Sequence, residues 1–205
     1  MKNTEMVLRR LGYPDGATAD STVLRQIDDA WTEISEIANF QYVYAEFTKR
    51  LDFLSHPSYA EYLQSDDHYL LCATTLGVGV DRRLNRHQVQ NMSYAVVFNA
   101  CADIFLEEAA DEFEAKLPFP ERSFRFCPGY GQTSLSDNRL IAEAVNAKKI
   151  GITFLNSGLM IPCKSMTGVI RLSGNATKTC TGCIAGGDCA FRRRGTTCYS
   201  TKLSF

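Results

Sequence analysis

Neither a charge surplus nor a long apolar run marks this chain. Lysines and arginines number 22 against 23 acidic residues, a formal net charge of −1 over 205 residues, so no overall field draws it to nucleic acid or to an anionic membrane. No window approaches the ~20 apolar residues of a membrane span, and Met1 to Gly12, with Glu5, Arg9 and Arg10, lacks the apolar stretch of a signal peptide. Histidines are few, and His56, His68 and His87 are too scattered to make a metal-ligand spacing. No internal repeat or low-complexity tract is visible, which sets repeat architectures aside. The expectation is a soluble, cytoplasmic chain that partners neither membrane nor nucleic acid.

What is present is an ordinary globular composition, 45% hydrophobic and 22% charged, with enough length to bury a real core. Asn3 or Thr4 can cap a short helix that ends at Gly12, and Asp20 or Ser21 opens a second, with Val23, Leu24, Ile27, Ala30, Trp31, Ile34 and Ile37 at helical spacing. Gln41 to Thr48 alternates like a strand, and Tyr69 to Gly77 reads as a strongly apolar one; the stretch between them has no clear pattern. From Asp81 to about Leu117 neither Pro nor Gly intervenes, so one long helix is expected, with Val89, Met92, Val96, Cys101, Phe105, Leu106, Ala109 and Phe113 buried. Asn99, Asp103 and Glu107 stand four apart on one stripe of it. Either they meet backbone or a loop arginine such as Arg122 or Arg125, or Glu107 faces a ligand pocket. Glu108, Asp111, Glu112 and Glu114 read as a solvated face. After Pro118-Phe-Pro120 come a helix around Leu140 to Val145 and three short apolar segments, the first two joined by the hairpin turn Asn156-Ser-Gly158. The pattern predicts an α+β domain with a mainly antiparallel sheet, one long helix and several shorter ones.

The polar corner Arg125-Phe-Cys-Pro-Gly-Tyr130, followed by Gly131-Gln-Thr-Ser134, is suited to a small anionic ligand. Arg125 can fork two N–H groups onto a carboxylate, Gly129 permits close approach of backbone, Tyr130 offers a flat face with a polar tip, and Ser134 or Ser136 can cap the next helix. A surface turn whose arginine pairs with a neighbouring acid is the plain alternative.

Arg125-x-x-x-Gly129-Tyr130 matches the Arg-x-x-x-Gly-Tyr signature of the S-adenosylmethionine-binding activation (reactivation) domain of cobalamin-dependent methionine synthase. The segments Leu155 to Pro162 and Ser165-Met-Thr-Gly168 resemble that family's apolar-Met-x-Pro run and the Ser-x-x-Gly turn after it, and Ala102-Asp103 with Glu107 resembles its upstream helix. The resemblance spans about Asn91 to Gly174, and the N-terminal part is similar to free-standing versions of the domain. It implies a C-shaped α+β fold with a bent antiparallel sheet. It also implies a role in methionine biosynthesis as an accessory subunit: an electron donor such as flavodoxin or ferredoxin reduces a corrinoid held by a partner methyltransferase, and the methyl group of S-adenosylmethionine restores methylcobalamin. By resemblance Arg125 holds the methionine carboxylate, Gly129 and Tyr130 contact the ligand through backbone, and Glu107 meets its positively charged end. The chain departs from the family in having Ile104 three residues before Glu107, where an Arg is frequent, and Gly131-Gln132 after the signature tyrosine.

Residues 1–175 carry this likeness, and 176–205 form a separate cysteine-rich tail. Cys180-Thr-Gly-Cys183, Cys189 and Cys198 can supply four thiolates to a zinc ion or an iron–sulfur cluster. Reduced thiols or a redox disulfide are the alternatives, and with them a non-enzymatic metal or redox partner protein on the same scaffold.

Overall fold

The computed structural model describes residues 3–14, 16–65, 67–174, 180, 188–193, 195 and 197. Two capped helices open the chain. In α1, Thr4–Arg10, the Asn3 side chain accepts from the Met6 N–H, and in α2, Ser21–Ile37, Asp20 does the same for Thr22. Strand β1, Gln41–Phe47, leads through a 3₁₀ turn at Asp52–Ser55 into α3, Pro57–Leu63, so the stretch without a clear pattern is short helix. There His56 caps the Ser58 N–H and Pro57 sits where its missing N–H costs nothing.

Strand β2, Tyr69–Thr75, is buried along its whole length and forms the centre of a three-stranded sheet. It pairs antiparallel with β1 and with β5, Ser165–Arg171. Burial on both faces explains its apolar run from Tyr69 to Ala73. The hairpin read from Asn156-Ser-Gly158 is present: β3, Thr153–Phe154, pairs antiparallel with β4, Met160–Ile161. Ser165-Met-Thr-Gly168, expected as a turn, is instead the first half of β5, with Gly168 opposite Cys72.

The single long helix is two. Helix α4, Val78–Gln90, stops at Asn91, which is extended and whose side chain caps the Tyr94 N–H to start α5, Met92–Glu114. An Asx side chain can replace the backbone acceptor and break a helix without Pro or Gly. Val89 (89% exposed), Met92 and Val96 are surface residues, while Ala95, Phe98, Cys101 and Ala102 take the core positions. Helices α1, α2, α4 and α5 pack into one apolar cluster, and α3 and α6 (Asp137–Ala144) build a second with Leu71, Ala73 and Val169 of the sheet. Successive strand residues point to opposite faces: Leu70, Cys72 and Ile170 belong to a third, smaller group, whose partly buried members include Tyr42, Leu117 and Phe119. The tail contributes a four-residue helix, α7, Ala190–Arg193.

Candidate functional site

Residues 123–126 run along the free edge of β5. The Ser123 N–H bonds the Arg171 carbonyl, and Phe126 exchanges both backbone hydrogen bonds with Val169 at 2.8 Å. Phe126 points into the second cluster beside Tyr59 and Tyr62. Arg125, its neighbour, therefore faces α5. Its stem lies across Gly168, where an added Cβ would collide with Arg125 Cγ and Cδ. Glycine is needed at 168 for that close approach.

The Arg125 side chain is only 4% exposed, and its guanidinium meets the C-terminal half of α5. Nη1 donates to Glu114 Oε1 in a close contact, and the Tyr42 hydroxyl donates to the same oxygen at 2.8 Å. Nη2 reaches Asp111 Oδ1 at 3.2 Å. Nε is buried and has no hydrogen-bond partner among the described residues. Burial works against the positive charge on Arg125, but Glu114, the nearby thiols and Asp111 more than offset it and hold the guanidinium above its ordinary range. Glu114 is pushed up by burial and only partly drawn back by Arg125 and Tyr42. Burial likewise lifts the Cys72 thiol to about 12 and raises the Tyr42 phenol, so both remain protonated at neutral pH. Glu114, read from the sequence as part of a solvated face, is buried and is the principal partner of Arg125; Asp111 and Glu112 are exposed as expected.

Glu107 does not touch Arg125. Its Oε1 accepts from Arg10 Nη2 at 3.0 Å on the surface. Asn99 and Asp103 gather the buried Lys164, whose Nζ lies 2.8 Å from Asn99 Oδ1 and 2.6 Å from Asp103 Oδ1. The polar stripe thus has cations from α1 and from the residue just before β5 as its partners. Asn99, Asp103, Glu107, Asp111 and Glu114 recur at spacings of three and four, so they share one face of α5. Glu107 and Asp111 are one turn apart, about 6 Å along the axis.

Past Arg125 the chain turns sharply. Gly129 is left-handed at φ +93 and its N–H donates to Thr133 Oγ1, which donates in turn to the Tyr130 carbonyl. Gly131 also has positive φ; its carbonyl accepts from Ser58 Oγ, and a Cβ there would come within 2.9 Å of Ser58 Cβ. Tyr130 is 41% exposed and packs edge-on against Phe126 at 5.7 Å. Its ring and the Arg125 guanidinium therefore lie on opposite faces of the edge segment, and only the backbone of the corner is common to both. Ser136 precedes α6 without a capping bond of its own; its N–H donates to Ser134 Oγ.

Of the tail cysteines, Cys180 and Cys189 are half-buried, while Cys183 and Cys198 lie outside the described residues. Among the described residues no group of three or more His, Cys, Asp and Glu side chains could hold a metal ion. No helix among them is long and apolar enough to cross a membrane.

The architecture is that of a known class. The chain is similar to the MetH reactivation domain bound to AdoHcy, with a TM-score of 0.62 over 96% of this chain and 82% of that one, at 14% sequence identity. The fold is therefore the methionine synthase reactivation fold that the Arg-x-x-x-Gly-Tyr signature implied. No protein-family model matches the sequence, and no curated protein matches it.

Proposed function

We propose that this protein binds S-adenosylmethionine and supports the reductive remethylation of a corrinoid cofactor carried by a partner methyltransferase of the methionine synthase type. The observation that carries the reading is the buried Nε of Arg125, without a partner among the described residues, in a chain whose fold is shared with a reactivation domain holding AdoHcy. A buried guanidinium N–H of this kind is a donor that a carboxylate oxygen can satisfy, and the amino-acid end of S-adenosylmethionine carries one. Arg125 would hold that carboxylate, the Gly129 and Tyr130 backbone would line the corner, and Glu107, in an exposed ion pair, would face the positively charged end. S-adenosylmethionine supplies a methyl group already activated by its sulfonium. The protein's contribution is to bind and orient.

The corrinoid and an electron donor such as flavodoxin or ferredoxin belong to partners, and the setting is cytoplasmic. The tail cysteines Cys180, Cys183, Cys189 and Cys198 are proposed as a zinc or iron–sulfur site; metal analysis of anaerobically purified protein returning none would remove that part alone. Calorimetric titration tests the main reading. S-adenosylmethionine is expected to bind in the micromolar range, and Gly129→Val, which places a Cβ against Leu135 Cδ2 at 3.0 Å in a left-handed conformation, is expected to weaken it at least tenfold. A folded wild-type sample giving no heat of binding would refute it.

A further inference from the structure

We propose that Asp111 is a displaceable internal stand-in for the ligand's carboxylate, so that binding at Arg125 proceeds by competition with the protein's own side chain. The inference rests on the reading of the corner as a site for an amino-acid-bearing ligand, and adds to it a residue that sets the affinity. The three nitrogens of Arg125 are in three different situations. Nη1 is fixed by Glu114, a carboxylate only 7% exposed and itself held by Tyr42. Nε is buried and has no partner among the described residues. Among the described residues Nη2 is satisfied by Asp111 alone, at 3.2 Å, from a side chain 71% exposed.

These situations define an edge. On a guanidinium, Nε–H and the adjacent Nη2–H point the same way and are spaced for the two oxygens of one carboxylate. Asp111 supplies one oxygen to that edge and leaves the other donor empty. A free carboxylate can satisfy both, because it is not tied to the backbone of α5. The exchange leaves the Glu114 anchor and the stem packed on Gly168 in place, and it returns Asp111 to water, which costs little for a side chain already mostly solvated. The chemical class is an α-carboxylate with a neighbouring cation, since Glu107 stands one turn from Asp111 on the same face.

The test compares wild-type protein with Asp111→Ala in calorimetric titrations of S-adenosylhomocysteine and of 5′-methylthioadenosine, which lacks the amino-acid end. Removing Asp111 is expected to tighten S-adenosylhomocysteine binding roughly two- to fivefold, the size of an exposed ion pair, and to leave 5′-methylthioadenosine unchanged. Thermal melts establish that the variant is folded. If S-adenosylhomocysteine binds both proteins equally, or binds the variant more weakly, the stand-in role is wrong and the site reading survives. If it binds neither folded protein, the site reading falls and takes this proposal with it.

Discussion

Arg125→Met is expected to lower folding stability by about 3–5 kcal/mol at neutral pH, the usual cost of removing one partner from a buried ion pair. The loss arises from what remains. Glu114 would stay buried beneath the edge segment with the Tyr42 hydroxyl as its one donor among the described residues. Its carboxyl already lies above the ordinary range through burial, and Arg125 is among the groups that pull it down; without the guanidinium it rises further. The sign follows from that direction. A folded-state pKa above the unfolded value of 4.5 means the folded chain holds the proton more tightly, so the penalty is small below that pH and grows as pH rises through the folded pKa. Urea unfolding of Arg125→Met and wild type at pH 4.5 and pH 7.5 should therefore show the gap widening with pH. Adding Glu114→Gln should recover much of it. A gap independent of pH would mean that Glu114 is not the group left stranded.

The second large effect is expected at a residue with no side chain. Gly168→Ala puts a methyl group where Arg125 Cγ and Cδ now lie, and a strand paired on both sides cannot shift to make room. The arginine must lift from the sheet and loosen its hold on Glu114. We expect a loss of about 3 kcal/mol, from overpacking together with partial disruption of the buried pair. Because both costs pass through Arg125, the Gly168→Ala and Arg125→Met penalties should not add. A double variant that loses the full sum in urea unfolding would show that the two residues act separately.

These two residues also mark how far the sequence could be read. The alternation in Gln41–Phe47, the Asn156-Ser-Gly158 turn and the caps at Asn3 and Asp20 are local signals, and the structure follows them. The break at Asn91 was hidden because an asparagine side chain ends one helix and begins the next without Pro or Gly. Val89, Met92 and Val96, expected in the core, lie on a neighbouring stripe that faces outward. Arg125 was legible as a carboxylate-binding residue, but its partner was not: Glu114 sits in a run of acids that looks solvated until the edge segment covers it. Gly168 belonged to a motif that suggested a turn, whereas the physical reason for the glycine is an arginine stem from another segment. Long-range pairings of this kind leave no periodicity behind. Glu107 was legible as a member of a polar stripe, and its surface pairing with Arg10 depends on where α1 docks.

If the Arg125 corner takes a carboxylate-bearing sulfonium ligand, Arg125 Nε–H itself should report it in an ¹⁵N-resolved NMR titration with S-adenosylhomocysteine, a stable surrogate. A donor without a partner should move downfield and saturate as it gains a carboxylate oxygen, in step with the Gly129 and Tyr130 amides. Saturable shifts confined to other parts of the chain, with the Nε–H signal unmoved, would contradict it.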